Sequence, residues 1–170
     1  MLAVEDIVSD WRDQSKVIEE CKYISVEKIE PLAPWGVRVT VEEVVPGFGP
    51  DDPERDYVPE LAARIRAEMS LRQQVIARIF EIEFPEAISY HVTNESYGKY
   101  PEPPEVFTGK HFRLFETSLL LDWVRKTSYA SDDHPGPLSL MHFEIVGQDD
   151  VVDVITTREP LIRVVSGRRE

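Results

Sequence analysis

LSLMHFEIVGQDDVVDVIT, residues 138–156, alternates apolar and polar side chains on both sides of a Gly-Gln-Asp-Asp turn. That period of two predicts a β-hairpin with strands over 138–146 and 151–156. With residues 147–150 as the connection, Val146 falls opposite Val151, Glu144 opposite Asp153 and His142 opposite Ile155. Met141, Phe143, Ile145, Val152 and Val154 then share the buried face, and His142, Glu144 and Asp153 share the other. Two carboxylates directly opposite each other destabilise a ladder unless the face is solvated or the pair binds a cation, shares a proton or meets an arginine. A solvated face is the simplest reading. A metal or acid–base site would use His142, Glu144 and Asp153, with His91 or His111 as further candidates, but their spacing matches no ligand motif.

Outward from the hairpin, Leu161 to Val165 reads as one more strand, and SDDHPGP at 131–137 as the turn leading in. Tyr23 to Ile29 and Trp35 to Val45 alternate as an antiparallel strand pair, and Ala87 to Glu95 alternates with Ile88, Tyr90 and Val92 on one face. Val4, Ile7, Val8, Trp11, Ile18 and Cys21 recur at helical steps, which predicts an amphipathic helix over 4–21. Residues 46–59, rich in Pro, Gly and Asp, form a loop that precedes the longest expected helix, residues 60–84, where Leu61, Ile65, Met69, Ile76 and Phe80 keep helical spacing. Residues 94–110 read as a long irregular connection carrying Tyr97, Tyr100 and Phe107, either a ligand-covering or partner-binding loop or one whose aromatics tack it to the body. His111 to Phe115 opens a strand, and Thr117 or Ser118 caps a helix through Leu120, Trp123 and Val124. The expected fold is a single α+β domain over residues 1–170, with a mostly antiparallel or mixed sheet of about six strands and about three helices packed largely on one face.

A chain of 170 residues is long enough to bury roughly 70% of its unfolded surface in one core. No run approaches the roughly 20 apolar residues of a membrane helix, so no membrane partner is expected. The acidic N-terminus does not look like a secretory signal, and the lone Cys21 cannot close an internal disulfide; together these point to a cytoplasmic protein with a buried structural thiol. The net charge is −13, and residues 1–60 hold 15 acids against 6 bases, the remainder 17 against 13. Such a field repels nucleic-acid backbones and attracts basic surfaces.

GxGxxG, Walker, GxSxG, HExxH, CxxC and EF-hand patterns are all missing, which argues against an enzyme and gives no reason to expect a cofactor. The function expected is therefore non-enzymatic: a small acidic inhibitor or immunity-type protein docking a basic protein partner through Asp51, Asp52, Glu54 and Asp56, with Tyr97, Tyr100 and Phe107. A small enzyme or metal-binding protein built on the hairpin cluster is one rival, and an obligate oligomer or assembly subunit is another.

Overall fold

The computed structural model describes residues 10–44, 78–130 and 139–166. The fold is α+β, with two antiparallel sheets in place of the expected single one. Strands β1 (Ile24–Leu32), β2 (Gly36–Glu43), β3 (Arg78–Phe84) and β9 (Leu161–Ser166) lie side by side in the first sheet. The second has the order β4 (Ala87–Asn94), β8 (Asp150–Thr156), β7 (Met141–Val146), β6 (Phe112–Thr117) and β5 (Val106–Thr108).

Alternation explains how the sheets meet. Val37, Val39 and Val41 of β2 and Phe80, Ile82 and Phe84 of β3 turn to one side, where Phe143, Ile145, Val152 and Val154 of the second sheet join them in one core. The hairpin carries the predicted register, Val146 opposite Val151, Glu144 opposite Asp153 and His142 opposite Ile155. At its turn the Gly147 amide donates to the Asp150 carbonyl at 2.9 Å, and the Gln148 amide donates to Ile24 in the first sheet at 2.9 Å. A Cβ at Gly147 would stand 2.9 Å from that Asp150 oxygen and 3.1 Å from the Val26 side chain, so the approach of hairpin to β1 requires glycine here.

The expectation that about three helices cover one face is corrected. Two α-helices lie among the described residues, on different sides. Helix α1 (Trp11–Glu19) is capped by Asp10, whose carboxylate accepts from the Arg12 amide at 3.0 Å, and it sends Trp11 and Ile18 into the core between the sheets. Helix α2 (Leu119–Thr127) starts at Ser118, as the capping pattern predicts, and lays Leu121 and Val124 on Leu140 and Ile155 at the outer face of the second sheet. Cys21 is a buried free thiol just beyond α1, and burial raises its pKa.

The expected helix over 60–84 is corrected at its end. Arg78–Phe84 is a strand, interior to its sheet between β2 and β9. RIFEIEF alternates, with Phe80, Ile82 and Phe84 buried and Glu81 and Glu83 less so; Phe80 also stands four residues after Ile76, which is how helical spacing ran on into it. Residues 60–77, the loop 46–59, the turn 131–137 and positions 4–9 of the first helix lie outside the described residues, as do Asp51, Asp52, Glu54 and Asp56.

Candidate functional site

Strand pairing sets four side chains in a row across the outer face of the second sheet. His91 of β4 is opposite Asp153 of β8, Asp153 is opposite Glu144 of β7, and Glu144 is opposite Arg113 of β6. The neighbouring row holds His142 opposite Phe115. The expectation of a solvated face is corrected, since Glu144 is 7% exposed and His142 is 2% exposed. Helix α2 and the segment 95–105 border this face, and each of the opposed carboxylates has found its own cation or donor there.

Glu144 takes Arg113. Its Oε2 accepts from Arg113 Nη1 at 2.6 Å, and the guanidinium lies 4.7 Å from the Phe107 ring centre and 5.0 Å from that of Tyr100. Aromatic faces favour a cation above them, so the two rings hold the arginine over the strand. Burial nonetheless raises the Glu144 pKa above the ordinary carboxyl value, with Arg113 opposing the shift.

Asp153 takes His142, whose Nε2 is 2.9 Å from Asp153 Oδ1, while Nδ1 is 2.7 Å from Ser118 Oγ. The carboxylate only accepts, so Nε2 carries the proton; in the neutral ring Nδ1 then accepts from the Ser118 hydroxyl. Phe115 stacks on the imidazole at 4.2 Å and 12°. A serine, histidine and aspartate in one hydrogen-bonded chain invite comparison with a nucleophilic triad. Ser118 is buried, and its oxygen also accepts from the Leu121 amide at 3.1 Å as the cap of α2. The groove described below is lined by His142 and Asp153 but not by Ser118. The chain ties α2 to the sheet, with the buried hydroxyl held between the imidazole and the Leu121 amide.

Over this row runs a groove made of two adjoining clefts of about 450 and 300 Å³, which share Thr93, Lys99, Glu144 and Asp153. Its carboxylates are Glu95, Glu105, Glu144 and Asp153, against Lys99 and Arg113. Tyr97, 84% exposed, and Tyr100, 69% exposed, stand on its lining. The segment that carries them is more ordered than a long irregular connection: a 3-10 turn spans Glu95–Tyr97, Thr117 Oγ1 donates to the Pro104 carbonyl at 2.6 Å, and Glu105 accepts from the Leu119 amide at 3.0 Å. Phe107 is half-buried and packs on Phe115 at 5.4 Å, so it supports the groove from beneath while the tyrosines rim it.

The structure thus brings together His142, Glu144, Asp153 and His91 with Tyr97 and Tyr100, and leaves His111 elsewhere, its Nε2 3.0 Å from the Cys21 carbonyl. Among the described residues no three His, Cys, Asp or Glu side chains stand where they could hold a metal ion. Arg113, Lys99 and Glu95 escaped the sequence reading. Alternation sets Arg113 on the same face of its strand as Phe115, but its place opposite Glu144 comes from strand order.

Two carboxylates elsewhere in environment make the electrostatics testable. Glu43 is paired with Arg78, Nε to Oε2 at 2.8 Å, and these hydrogen bonds lower its pKa, whereas burial raises that of Glu144. A lowered carboxyl contributes stability that is present above its unfolded pKa and lost as pH falls through the folded one; a raised carboxyl weakens the fold as pH rises from the unfolded towards the folded value. Wild type minus Glu43→Gln should therefore shrink in acid, and wild type minus Glu144→Gln should move the opposite way, in urea titrations across the carboxyl range. Parallel pH dependences of the two differences would contradict the assignment. Compared with family models, curated proteins and solved structures, the chain matches none.

Proposed function

We propose that the chain is a non-enzymatic protein-binding module that receives a cationic segment of a basic protein partner in the groove over the second sheet, in the manner of a small acidic inhibitor. The observation that carries this reading is the pair of exposed tyrosines, Tyr97 and Tyr100, standing beside Glu95, Glu144 and Asp153. Tyrosine gives a large amphipathic contact at small entropic cost and is enriched among residues that dominate binding energy. Four groove carboxylates and a net charge of −13 supply the attraction for arginine or lysine. Glu144 is committed to Arg113 and Asp153 to His142, which leaves Glu95 as the groove carboxylate best placed for an incoming cation, with Asp153 adding its charge beside it.

An arginine- and lysine-rich peptide, titrated into isotopically labelled protein and followed by NMR, tests this. Shift changes should concentrate on Tyr97, Tyr100, Glu95 and Asp153, weaken with added salt, and largely vanish in a Tyr97→Ala/Tyr100→Ala variant. Changes spread evenly over the acidic surface, or centred away from the groove, would leave solubility as the explanation of the charge.

A further inference from the structure

We propose that protonation of His142 weakens the groove's hold on its basic partner, so that docking loosens in mild acid. The inference rests on the groove being where a cationic segment docks, and it names how that docking is regulated. Asp153 adds its charge to the groove only as long as no imidazolium cancels it. With the ring neutral, Nε2–H donates to Asp153 Oδ1 at 2.9 Å and the carboxylate keeps its negative charge. A second proton turns the same contact into an ion pair with no net charge. An incoming arginine or lysine then loses one of the charges that attract it.

Two histidines adjoin Asp153, and one of them is built to carry a charge. His142 is 2% exposed, yet once protonated each of its nitrogens has an oxygen to donate to. Ser118 Oγ, 2.7 Å from Nδ1, accepts from the Leu121 amide through one lone pair and has a second for an Nδ1–H. Reversing that bond turns the serine hydroxyl and leaves the cap of α2 in place. His91, opposite Asp153 on β4, has a covered Nε2 without a hydrogen-bond partner among the described residues. An imidazolium there would bury an N–H with nothing to accept it.

Other charged groups stand around His142. Glu144 lies two residues along β7, Arg113 pairs with it from β6, and Lys99 and Glu105 of the segment 95–105 line the same cleft as the ring. Helix α2 contributes Asp122 in its first turn, 3.4 Å from Arg125. Of these, Glu144 is the rival source of pH dependence, since burial raises its pKa.

The test titrates an acetylated peptide of arginines and lysines, free of histidine, into the full chain from about pH 8 to about pH 5, the range in which an ordinary imidazole changes charge. Affinity should fall roughly tenfold across that range. By reciprocity, saturating peptide should move the midpoint of the His142 ring signals, followed by NMR, to lower pH. His142→Gln, which keeps a donor for Asp153 and cannot take up a proton, should flatten the decline. An affinity that holds steady to the acid end, or a His142 midpoint that bound peptide leaves in place, would overturn the inference while the groove stayed the docking site. A full decline in His142→Gln would overturn it too, by passing the effect to Glu144. If that variant does not fold, the midpoint in wild-type protein decides alone. A peptide that fails to reach the groove even at the alkaline end would remove the groove reading and this inference together.

Discussion

Phe143→Ala is expected to destabilise the protein by about 3–5 kcal/mol, the cost of removing a large aromatic from a core that cannot collapse into the gap. Phe143 is fully buried at the centre of the contact between the sheets, with the rings of Trp11, Phe112 and Phe84 at 5.3, 5.4 and 5.6 Å. Those three neighbours come from α1, the second sheet and the first sheet, so one truncation loosens all three layers. Urea denaturation should show a large fall in midpoint, while Leu161→Ala, at a position 42% exposed, should stay within about 0.5 kcal/mol of wild type. A loss below about 1 kcal/mol at Phe143 would mean that the two sheets do not share this core.

Phe143 also shows which parts of the fold the sequence makes legible. Its hairpin's register is read correctly to the residue because Phe143, Ile145, Val152 and Val154 alternate with His142, Glu144 and Asp153 across a short turn, so a slip by one would turn every side chain over. The strands themselves run Met141–Val146 and Asp150–Thr156, and not 138–146 and 151–156. The cap of α2 is equally local, a serine before an apolar helical run. Arg78–Phe84 misleads because Ile76 and Phe80 satisfy a four-residue step at the point where alternation begins. Strand β4 shows a different limit: alternation sets Ile88, Tyr90 and Val92 on one face without saying which face is covered, and the half-buried face is the one with Ser89, His91 and Thr93. Pattern reports which residues share a face, and only the placement of the strand at a sheet edge decides which face is covered. The site follows the same division. His142, Glu144 and Asp153 are found together because one hairpin carries them, while Arg113, Ser118 and Tyr100 reach them through strand order and a loop path that no local spacing encodes.

Arg113→Met is expected to cost about 3–5 kcal/mol near neutral pH, because it strips a buried carboxylate of the guanidinium paired with it while leaving the charge in place. Both side chains are almost covered, 11% exposed for Arg113 and 9% for Glu144, and Asp153 stands opposite as a second negative charge. Burial and Asp153 raise the Glu144 pKa, and Arg113 is what opposes them. Without the arginine the folded pKa rises further, so the variant falls increasingly behind wild type as pH climbs from the unfolded carboxyl value towards the folded one, and it comes closest to wild type in acid, where Glu144 is protonated in both states. Removing the carboxylate as well separates loss of packing from loss of charge. In Arg113→Met/Glu144→Leu the stranded charge is gone, methionine still lies between Tyr100 and Phe107, and most of the stability should return. Urea midpoints for the two single variants and the double, measured in acid and near neutrality, decide the matter: a deficit in Arg113→Met that is independent of pH, or a double variant no more stable than that single, would show that the arginine contributes through its contacts with the rings and not by neutralising Glu144.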